Sequence, residues 1–238
     1  MHTQESYLNL IEKLLVKNGI LSISGPSGSG KTTLAQFIMG HLLTTDVSLE
    51  ESCIWVQASE YFSNKRLETI FKDSRSKIHY LKQNVYVIPS NVPCSNFVEQ
   101  ELVLHKIINH KSILPPSLKF IVIDNISHHL RFELSRASTI RDKSTLINGF
   151  FDSLLSPLIM KCQREKIYLI LIHEISYVPE LRQEKPFLNK LYERICSVNV
   201  NLSNDIISKR KSMNISINLE GINENFEYEL CNSGLVFC

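Results

Sequence analysis

Residues 25–33 read Gly-Pro-Ser-Gly-Ser-Gly-Lys-Thr-Thr, and they match the phosphate-binding pattern G-x-x-x-x-G-K-[ST] at every defined position. Just before them, residues 20–24 form a short apolar run that is typical of the strand such a loop follows. Backbone N–H groups in a loop of this kind surround phosphate oxygens, and the next helix directs its positive end at the same anion. The segment therefore predicts a nucleoside triphosphate site between a strand and a helix.

Each position of this loop has an expected role. The residues expected to contact the nucleotide are Gly25, Pro26, Ser27, Gly28, Ser29, Gly30, Lys31, Thr32 and Thr33. Lys31 is expected to reach the β- and γ-phosphates and to assist catalysis, and the Thr32 hydroxyl is expected to ligate Mg²⁺. A Ser/Gly loop that opens an ordinary helix is the alternative, but the preceding strand and the apolar helical face that follows both agree with the phosphate loop.

Length and composition fit one globular domain. The chain has 238 residues, of which 43% are hydrophobic and 21% charged. We expect one domain over residues 1–238, in which residues 1–19 form a short N-terminal helical extension. The net charge of +2 neither requires nor excludes a nucleic-acid partner, so contact with a polyanion must come from local basic patches.

Cysteine usage and hydropathy favour a cytoplasmic protein. The six cysteines form no C-x-x-C pair, so reduced and mostly buried thiols are expected. No window approaches 18 apolar residues, and the first 18 residues carry acids as well as lysines, unlike a secretion signal. We expect a soluble cytoplasmic protein with no membrane partner, associated with the nucleoid if it binds DNA.

Short β-branched runs alternate with helical periodicities along the chain, which favours an α/β fold. We expect a central, mainly parallel β-sheet flanked by helices on both faces, with extra strands towards the C-terminus. The expected strands are 20–24, 53–57, 85–88, 119–123 and 168–172, followed from about residue 196 by strands that alternate with turns. The expected helices are one before residue 19, then 31–43, most of 63–82, 98–108 and 146–160.

A second motif is the run Phe-Ile-Val-Ile-Asp at 120–124, four apolar residues that end in an acid. In open α/β sheets ligands bind at the carboxyl ends of the strands, which is where Asp124 is expected. The pattern is typical of a Walker B strand, whose carboxylate holds Mg²⁺ together with the hydroxyl of the phosphate loop, here Thr32. The alternative is an acid that ends a strand and caps the next turn.

Hydrolysis of a nucleotide also requires a group that orients or deprotonates the attacking water. Glu60 is the candidate, because it lies three residues past the expected strand 53–57, on a loop that should emerge at the same sheet edge as the phosphate loop. By position alone, a solvated surface glutamate is an equally good interpretation.

Three further segments resemble the RecA-like recombinases. Ala-Ser-Glu60-Tyr-Phe-Ser-Asn-Lys-Arg66-Leu67 is similar to the segment in which a strand of these proteins ends in an acid-bearing loop and continues into a helix with Arg-Leu. Residues 123–134 look like the Walker B region of the archaeal recombinase paralogue RadB, and residues 226–235 resemble the terminal strand and Gly turn of the same core. The ordered set points to the RecA-like family and, within it, to RadB.

The resemblance implies a RecA-like P-loop NTPase core that binds ATP and Mg²⁺, binds DNA and acts in homologous recombination and DNA repair. In this family the glutamate that corresponds to Glu60 activates the hydrolytic water. The family strand that corresponds to residues 168–172 ends in Asn-Gln, whose glutamine senses the γ-phosphate, whereas this chain has His173-Glu174. Because an ionised glutamate cannot donate a hydrogen bond to phosphate, three interpretations stay open. Either His173 acts as the sensor, or Glu174 contacts Mg²⁺ or water, or the sensing of the γ-phosphate is degraded in this chain.

The family binds DNA, for which we expect a single-stranded preference, through two loops. The first loop would follow the Walker B strand and contains the cations Arg131, Arg136, Arg141 and Lys143. The second would cover residues 175–187, where Glu180 and Arg182 mix opposite charges, and residues 209–211 form a third basic cluster. A solvated loop or helix face is the alternative for the first loop. In the second loop Tyr177 and Phe187 could stack on bases or serve as anchoring residues, and for residues 209–211 a surface turn is the alternative.

Two features that recombinases usually carry are missing from the sequence: a separate N-terminal helical domain and a Phe-x-x-Ala tether. The resemblance therefore implies a slow DNA-coupled ATPase or an accessory factor that works with a recombinase or self-associates. One alternative is a nucleotide-stabilised scaffold that docks a recombinase without meaningful hydrolysis. A less favoured alternative is a P-loop small-molecule kinase, because no arginine-rich lid is evident after Asp124.

Overall fold

The computed structural model describes residues 2–178, 183–204, 211–217, 221–231 and 234–237. The first half of the chain builds four strands and five helices around the phosphate loop. In order they are α1 (His2–Asn18), β1 (Ile20–Ser24), α2 (Lys31–Leu43), a 3-10 turn (Val47–Leu49), β2 (Ser52–Gln57), α3 (Asn64–Ile70), α4 (Arg75–Asn84), β3 (Val85–Ile88), α5 (Phe97–Ile108) and β4 (Leu118–Asp124).

The second half begins with helices and ends with strands. In order the elements are α6 (His128–Arg136), α7 (Ile140–Phe150), a π-helical turn (Phe151–Leu155), α8 (Ser156–Glu165), β5 (Tyr168–His173), β6 (Ile175–Val178), β7 (Gln183–Pro186), α9 (Asn189–Tyr192), β8 (Val198–Asn204), β9 (Lys211–Ile217), β10 (Ile222–Cys231) and β11 (Gly234–Phe237). Strands β6 and β7 form an antiparallel two-stranded sheet, which we call the β6–β7 pair.

Nine strands form one sheet in the order β11-β10-β9-β8-β1-β5-β4-β2-β3. From β3 to β8 all neighbours are parallel, and from β8 to β11 all neighbours are antiparallel. The expected α/β fold, with a mainly parallel sheet and extra C-terminal strands, is confirmed. Because β5 lies between β1 and β4, the residues that follow β5 lie between the phosphate loop and Asp124.

Two hydrophobic clusters cover the two faces of this sheet. One contains the apolar sides of α1 and α2, and the other contains those of α5, α6 and α8. All residues of β1 and β2 are buried, as expected for parallel strands with helices on both faces. Within the described residues, no helix has the length and apolar character that crossing a membrane would require.

Two expected helices differ from those observed, for local chemical reasons. The helix expected over most of 63–82 is divided into α3 and α4, because Ser63 caps α3 and a turn that ends at Ser74 precedes α4. The helix expected over 146–160 extends from Ile140 to Glu165. Its π-helical turn comes just before Pro157, which has no N–H to continue the α-helical hydrogen bonds.

Candidate nucleotide-binding site

The phosphate loop depends on glycine at two positions with left-handed backbone. Gly30 has a φ of 96° and precedes the first residue of α2. At Gly25, with a φ of 156°, an added Cβ would lie 2.6 Å from the backbone oxygen of Leu202 and 2.8 Å from Ser29 Oγ. Only glycine fits this backbone without strain, so the glycines of the motif are explained by the loop's own geometry.

Lys31 begins α2 and folds back over the loop. Its Nζ donates hydrogen bonds to the carbonyl oxygens of Gly25 and Pro26, both at 2.8 Å. Burial lowers the pKa of Lys31, while the charges of Asp124 and Glu174 oppose that change. The ammonium group is therefore held beside the loop, where phosphate oxygens would replace the two carbonyls as acceptors.

Asp124 and Thr32 meet at the carboxyl end of β4. Thr32 Oγ1 donates a hydrogen bond to Asp124 Oδ2 at 2.8 Å, and the peptide bond after Asp124 is cis. Asp124 is 2% exposed, and burial raises its pKa to about 6. A hydroxyl and a carboxylate on one cavity wall are hard oxygen donors, which is the ligand chemistry that Mg²⁺ prefers. The two side chains therefore fit the metal role expected for them.

A cavity of about 420 Å³ opens above the loop. Its lining includes five charged residues from other parts of the chain: Glu60, Arg66, Asp124, Arg131 and Glu174. The volume is within the range of small-molecule sites in proteins. The fold thus places Glu60, which is expected to orient water, and Asp124, which is expected to hold metal, in one cavity with the phosphate loop. Glu60 is exposed at this wall, and its role as a water-activating residue stays a prediction.

The two sensor candidates occupy different environments. His173 is fully buried, its ring packs edge-on against Tyr192 with centroids 4.3 Å apart, and burial lowers its pKa to about 3. It is therefore neutral, and it does not line the cavity. Glu174 does line the cavity. Of the two candidates, only Glu174 is positioned to respond directly to a nucleotide in the cavity.

Glu174 is surrounded by three side-chain partners. Its Oε1 lies 2.6 Å from His128 Nδ1 and accepts a 3.3 Å hydrogen bond from Asn125 Nδ2. Its Oε2 lies 3.1 Å from an Arg131 guanidinium nitrogen. Burial alone would raise the pKa of Glu174, but the His128 contact and the Arg131 charge hold it below its ordinary value. The carboxylate is therefore ionised and already compensated.

The segment expected to be a DNA-binding loop is helical, which corrects the prediction. Arg131 and Arg136 lie on α6, and Arg141 and Lys143 lie on α7. A capping box between Thr139 and Asp142 fixes the start of α7, which is why this polar segment is not a loop. The three cations other than Arg131 are exposed, whereas Arg131 is part of the cavity wall.

The second expected DNA-binding loop contains the two strands β6 and β7. Tyr177 is 62% exposed on β6, whereas Phe187 packs under the guanidinium of Arg131. Glu180 and Arg182 of this loop, and residues 209–210 of the third basic cluster, lie outside the described residues. Lys211 is described, and its Nζ donates to Asn204 Oδ1 at 2.9 Å and to the carbonyl oxygen of Gly28 at 3.5 Å.

Three contributors to this cavity are not among the site residues expected from the sequence: Arg66, strand β10 and, in this role, Arg131. Leu230 of β10 lines it, and Tyr228 Oη donates a 2.7 Å hydrogen bond to the carbonyl oxygen of Ser29. These residues reach the loop only because β8–β11 extend the sheet beside β1. Arg66 stands in a segment that resembles the recombinases, and this resemblance was the only available signal for it.

Comparisons with known proteins agree with this geometry. The NB-ARC domain family matches residues 3–92, which include the phosphate loop. The DNA repair protein RAD57 of Saccharomyces cerevisiae is 28% identical over 131 residues, which are 51% of this chain and 26% of RAD57. The chain therefore matches about a quarter of that relative's length. The crystal structure of the RadB recombinase has a TM-score of 0.66 at 18% identity and covers 92% of this chain and 90% of its own. The resemblance to RecA-like recombinases, expected from the motifs, is confirmed at the level of the fold.

Proposed function

We propose that this chain binds ATP with Mg²⁺, binds DNA, and acts in homologous recombination and DNA repair as a slow DNA-coupled ATPase or a recombinase accessory factor. The observation that carries the proposal is the convergence of Lys31, Thr32 and Asp124 on one cavity at the carboxyl end of a RecA-like sheet. Similarity to proteins named RadB recombinase and DNA repair protein RAD57 supports the cellular role.

The phosphates would bind where the loop meets α2. Backbone N–H groups after Gly25 and the start of the helix offer donors to an anion, and Lys31 adds a positive charge beside them. The nearby carboxylates of Glu60, Asp124 and Glu174 limit how much negative charge the cavity accepts without a counter-ion. A divalent cation bound together with the nucleotide would supply that compensation.

Thr32 and Asp124 would hold this cation. A cation held by these two side chains would supply positive charge beside the phosphates. The hydrogen bond from Thr32 already fixes the orientation of the Asp124 carboxylate before a cation binds. Glu60 would orient the attacking water from the exposed side of the cavity, as the recombinase resemblance implies.

The nucleoside would extend towards a second cavity of about 560 Å³. This cavity shares Thr33, Arg66 and Leu230 with the first, so the two are neighbours along one surface groove. An arginine and a leucine at this boundary offer a cationic plane and an apolar contact for a base. We therefore propose that the base lies over Arg66 and Leu230.

DNA would contact the exposed cations of α6 and α7. Arg136, Arg141 and Lys143 have solvent-exposed side chains, although Arg136 also lies 3.7 Å from Glu133. Each phosphate contact on a single strand contributes about 0.7 to the slope of log affinity against log salt concentration. Three such contacts predict a slope of about −2, so DNA affinity should fall about a hundredfold for a tenfold rise in salt concentration. A DNA partner would place the protein with the nucleoid in the cytoplasm.

The scaffold alternative has one specific observation in its favour. Glu174 lines the cavity, and it stands where the resemblance to the recombinases implies a glutamine that senses the γ-phosphate. An ionised carboxylate cannot donate a hydrogen bond to phosphate and repels it. A protein of this kind would bind nucleotide for stability and would dock a recombinase without meaningful turnover.

Equilibrium binding of a fluorescent ATP analogue, with and without Mg²⁺, tests the nucleotide assignment. Lys31→Ala removes a charge-assisted contact, so we expect at least a tenfold loss of affinity, equivalent to about 1.4 kcal/mol. Lys106→Ala is the matched control, because Lys106 is exposed on α5 and is not among the cavity residues. Equal affinity of the Lys31 variant and the wild type would refute the assignment.

A further inference from the structure

Arg131 is the cation of the cavity wall that is held by the most contacts. One guanidinium nitrogen pairs with Glu174 at 3.1 Å. The other donates to the carbonyl oxygen of Ile175 at 2.7 Å and to Ser176 Oγ at 2.8 Å. The guanidinium carbon also lies 4.6 Å from the centroid of the Phe187 ring. Arg131 therefore connects the cavity to one end of the β6–β7 pair, where β6 begins and β7 ends.

The same guanidinium has unused hydrogen-bonding capacity. Its Nε is buried and has no hydrogen-bond partner among the described residues. An arginine presents five donors in a rigid planar fork that fits the oxygens of a phosphate group. A phosphate group in the cavity would thus offer Arg131 a better set of acceptors than a single carboxylate oxygen and two neutral oxygens.

Glu174 would not be left unpaired if Arg131 turned away. Its Oε1 keeps the contacts with His128 Nδ1 and Asn125 Nδ2, both of which come from the α6 side of the cavity. Its backbone is also fixed, because Glu174 N donates to Ser127 Oγ and its carbonyl oxygen accepts from Phe187 N. The carboxylate is therefore a stationary partner and the guanidinium is the partner that can move.

We propose that Arg131 recognises the terminal phosphate of a bound nucleoside triphosphate, because its guanidinium leaves Glu174 and pairs with that phosphate. This exchange of partners reports the triphosphate state to the β6–β7 pair. Arg131 in this account is a specificity-determining residue that separates a triphosphate from a diphosphate. The inference rests on the proposed function, because it requires a nucleotide on the phosphate loop. It also gives Glu174 a role other than direct contact with phosphate, namely to hold Arg131 when no terminal phosphate is present.

The test compares the affinities of a slowly hydrolysed triphosphate, ATPγS, and of ADP, each measured with Mg²⁺ and without DNA. Arg131→Ala should lower ATPγS affinity about tenfold and leave ADP affinity within about twofold, because only the triphosphate contact is lost. Glu174→Gln should raise the affinity for ATPγS relative to ADP, because it removes the carboxylate charge that competes with the terminal phosphate for Arg131. Arg75→Ala is the matched control, because Arg75 is an exposed arginine at the start of α4 and is not among the cavity residues.

A glutamine at position 174 could itself donate to the phosphate, so the double variant Arg131→Ala/Glu174→Gln separates the two explanations. Because Glu174→Gln also relieves repulsion of the phosphate, we expect its gain to shrink at least threefold, and not to vanish, when Arg131 is absent. A gain of equal size in the double variant would overturn the exchange. Arg131→Lys, which keeps the charge and the alkyl stem but not the fork, provides a second variant if the alanine protein is unstable, and it should also lower the ATPγS to ADP preference.

Hydrogen exchange of the β6–β7 pair supplies the second readout. ATPγS, but not ADP, should increase amide exchange in residues 175–178 and 183–186 of the wild type, and Arg131→Ala should abolish this difference. Identical exchange with both nucleotides in the wild type would overturn the relay. If the wild type bound neither nucleotide, the proposed function itself would fail. Binding of both with an unchanged ratio in Arg131→Ala would overturn only the role of Arg131.

Discussion

Asp124 carries the strongest electrostatic constraint on a single residue of the site. Burial raises its pKa to about 6, so below that pH the folded protein holds a protonated carboxyl that cannot ligate a cation. Because proton and Mg²⁺ compete for the same oxygens, Mg²⁺-dependent nucleotide affinity should fall about tenfold per pH unit below about 6 and level off above about 7. Binding measured across this range in wild type and Asp124→Asn checks the effect. Equal pH profiles for the two proteins would contradict it.

Gly25 is a second residue whose identity is dictated by its surroundings. An added Cβ would meet a backbone oxygen at 2.6 Å, which cannot move as a side chain can. Gly25→Ala should therefore cost about 1–3 kcal/mol of unfolding free energy and should weaken nucleotide binding. Gly149→Ala is the matched control, since Gly149 lies in α7 with open space around its Cβ position. This substitution should increase the free energy of unfolding by about 0.5–1 kcal/mol. Urea unfolding measures both, and similar stabilities for the two variants would refute the steric argument.

Single residues of the site differ in how far their roles could be predicted from sequence. Lys31, Thr32 and Asp124 belong to short motifs whose spacing encodes the geometry, so the structure brings them together as expected. The sequence places Arg131 in a DNA-binding loop, because the resemblance implies such a loop after the Walker B strand and the segment is rich in cations. In the structure its contacts are with Glu174 and β6. Those contacts form across a strand crossover, and no local pattern in the sequence reports them.

Among the elements, the packing of α2 against the residues after α3 depends on a helical glycine. A Cβ at Gly40 would lie 2.6 Å from two ring atoms of Phe71. Gly40→Ala should therefore destabilise the protein by about 1–3 kcal/mol, although alanine is the better helix former. Because a smaller side chain relieves the clash, Phe71→Leu should cost less in the Gly40→Ala background than alone. A double-mutant cycle by chemical denaturation checks the coupling, and strictly additive effects would contradict it.

The elements themselves were largely predictable, for physical reasons. The parallel strands read as short apolar runs, so the bounds of β1 to β5 agree with the expected ones to within about a residue. Helix ends were less predictable, since they depend on caps such as that of Thr139, which begins α7 inside a segment expected to be a loop. The β6–β7 pair also lies in a segment expected to be a loop, because the resemblance implies a DNA-binding loop over residues 175–187.

At the scale of the whole molecule, the C-terminal strands complete the nucleotide site. Tyr228 and Lys211 donate to carbonyl oxygens of the phosphate loop, and Leu230 forms part of the cavity wall. Extra C-terminal strands were expected, but their return to the loop was not, because the strand order β10-β9-β8-β1 is a property of the assembled sheet. The site therefore draws on residues from the first third, the middle and the end of the chain.

The proposed function requires this assembled site to hydrolyse ATP in response to DNA. Its most direct measurement is steady-state ATP turnover by wild type and Glu60→Gln, with and without single-stranded DNA, across a salt series. Glu60→Gln keeps the shape of the side chain and removes only the carboxylate that is expected to orient water. We predict turnover that rises with DNA, declines with salt and is reduced at least tenfold in the variant. Tight ATP binding with equal, negligible turnover in both proteins would contradict the account and favour the scaffold.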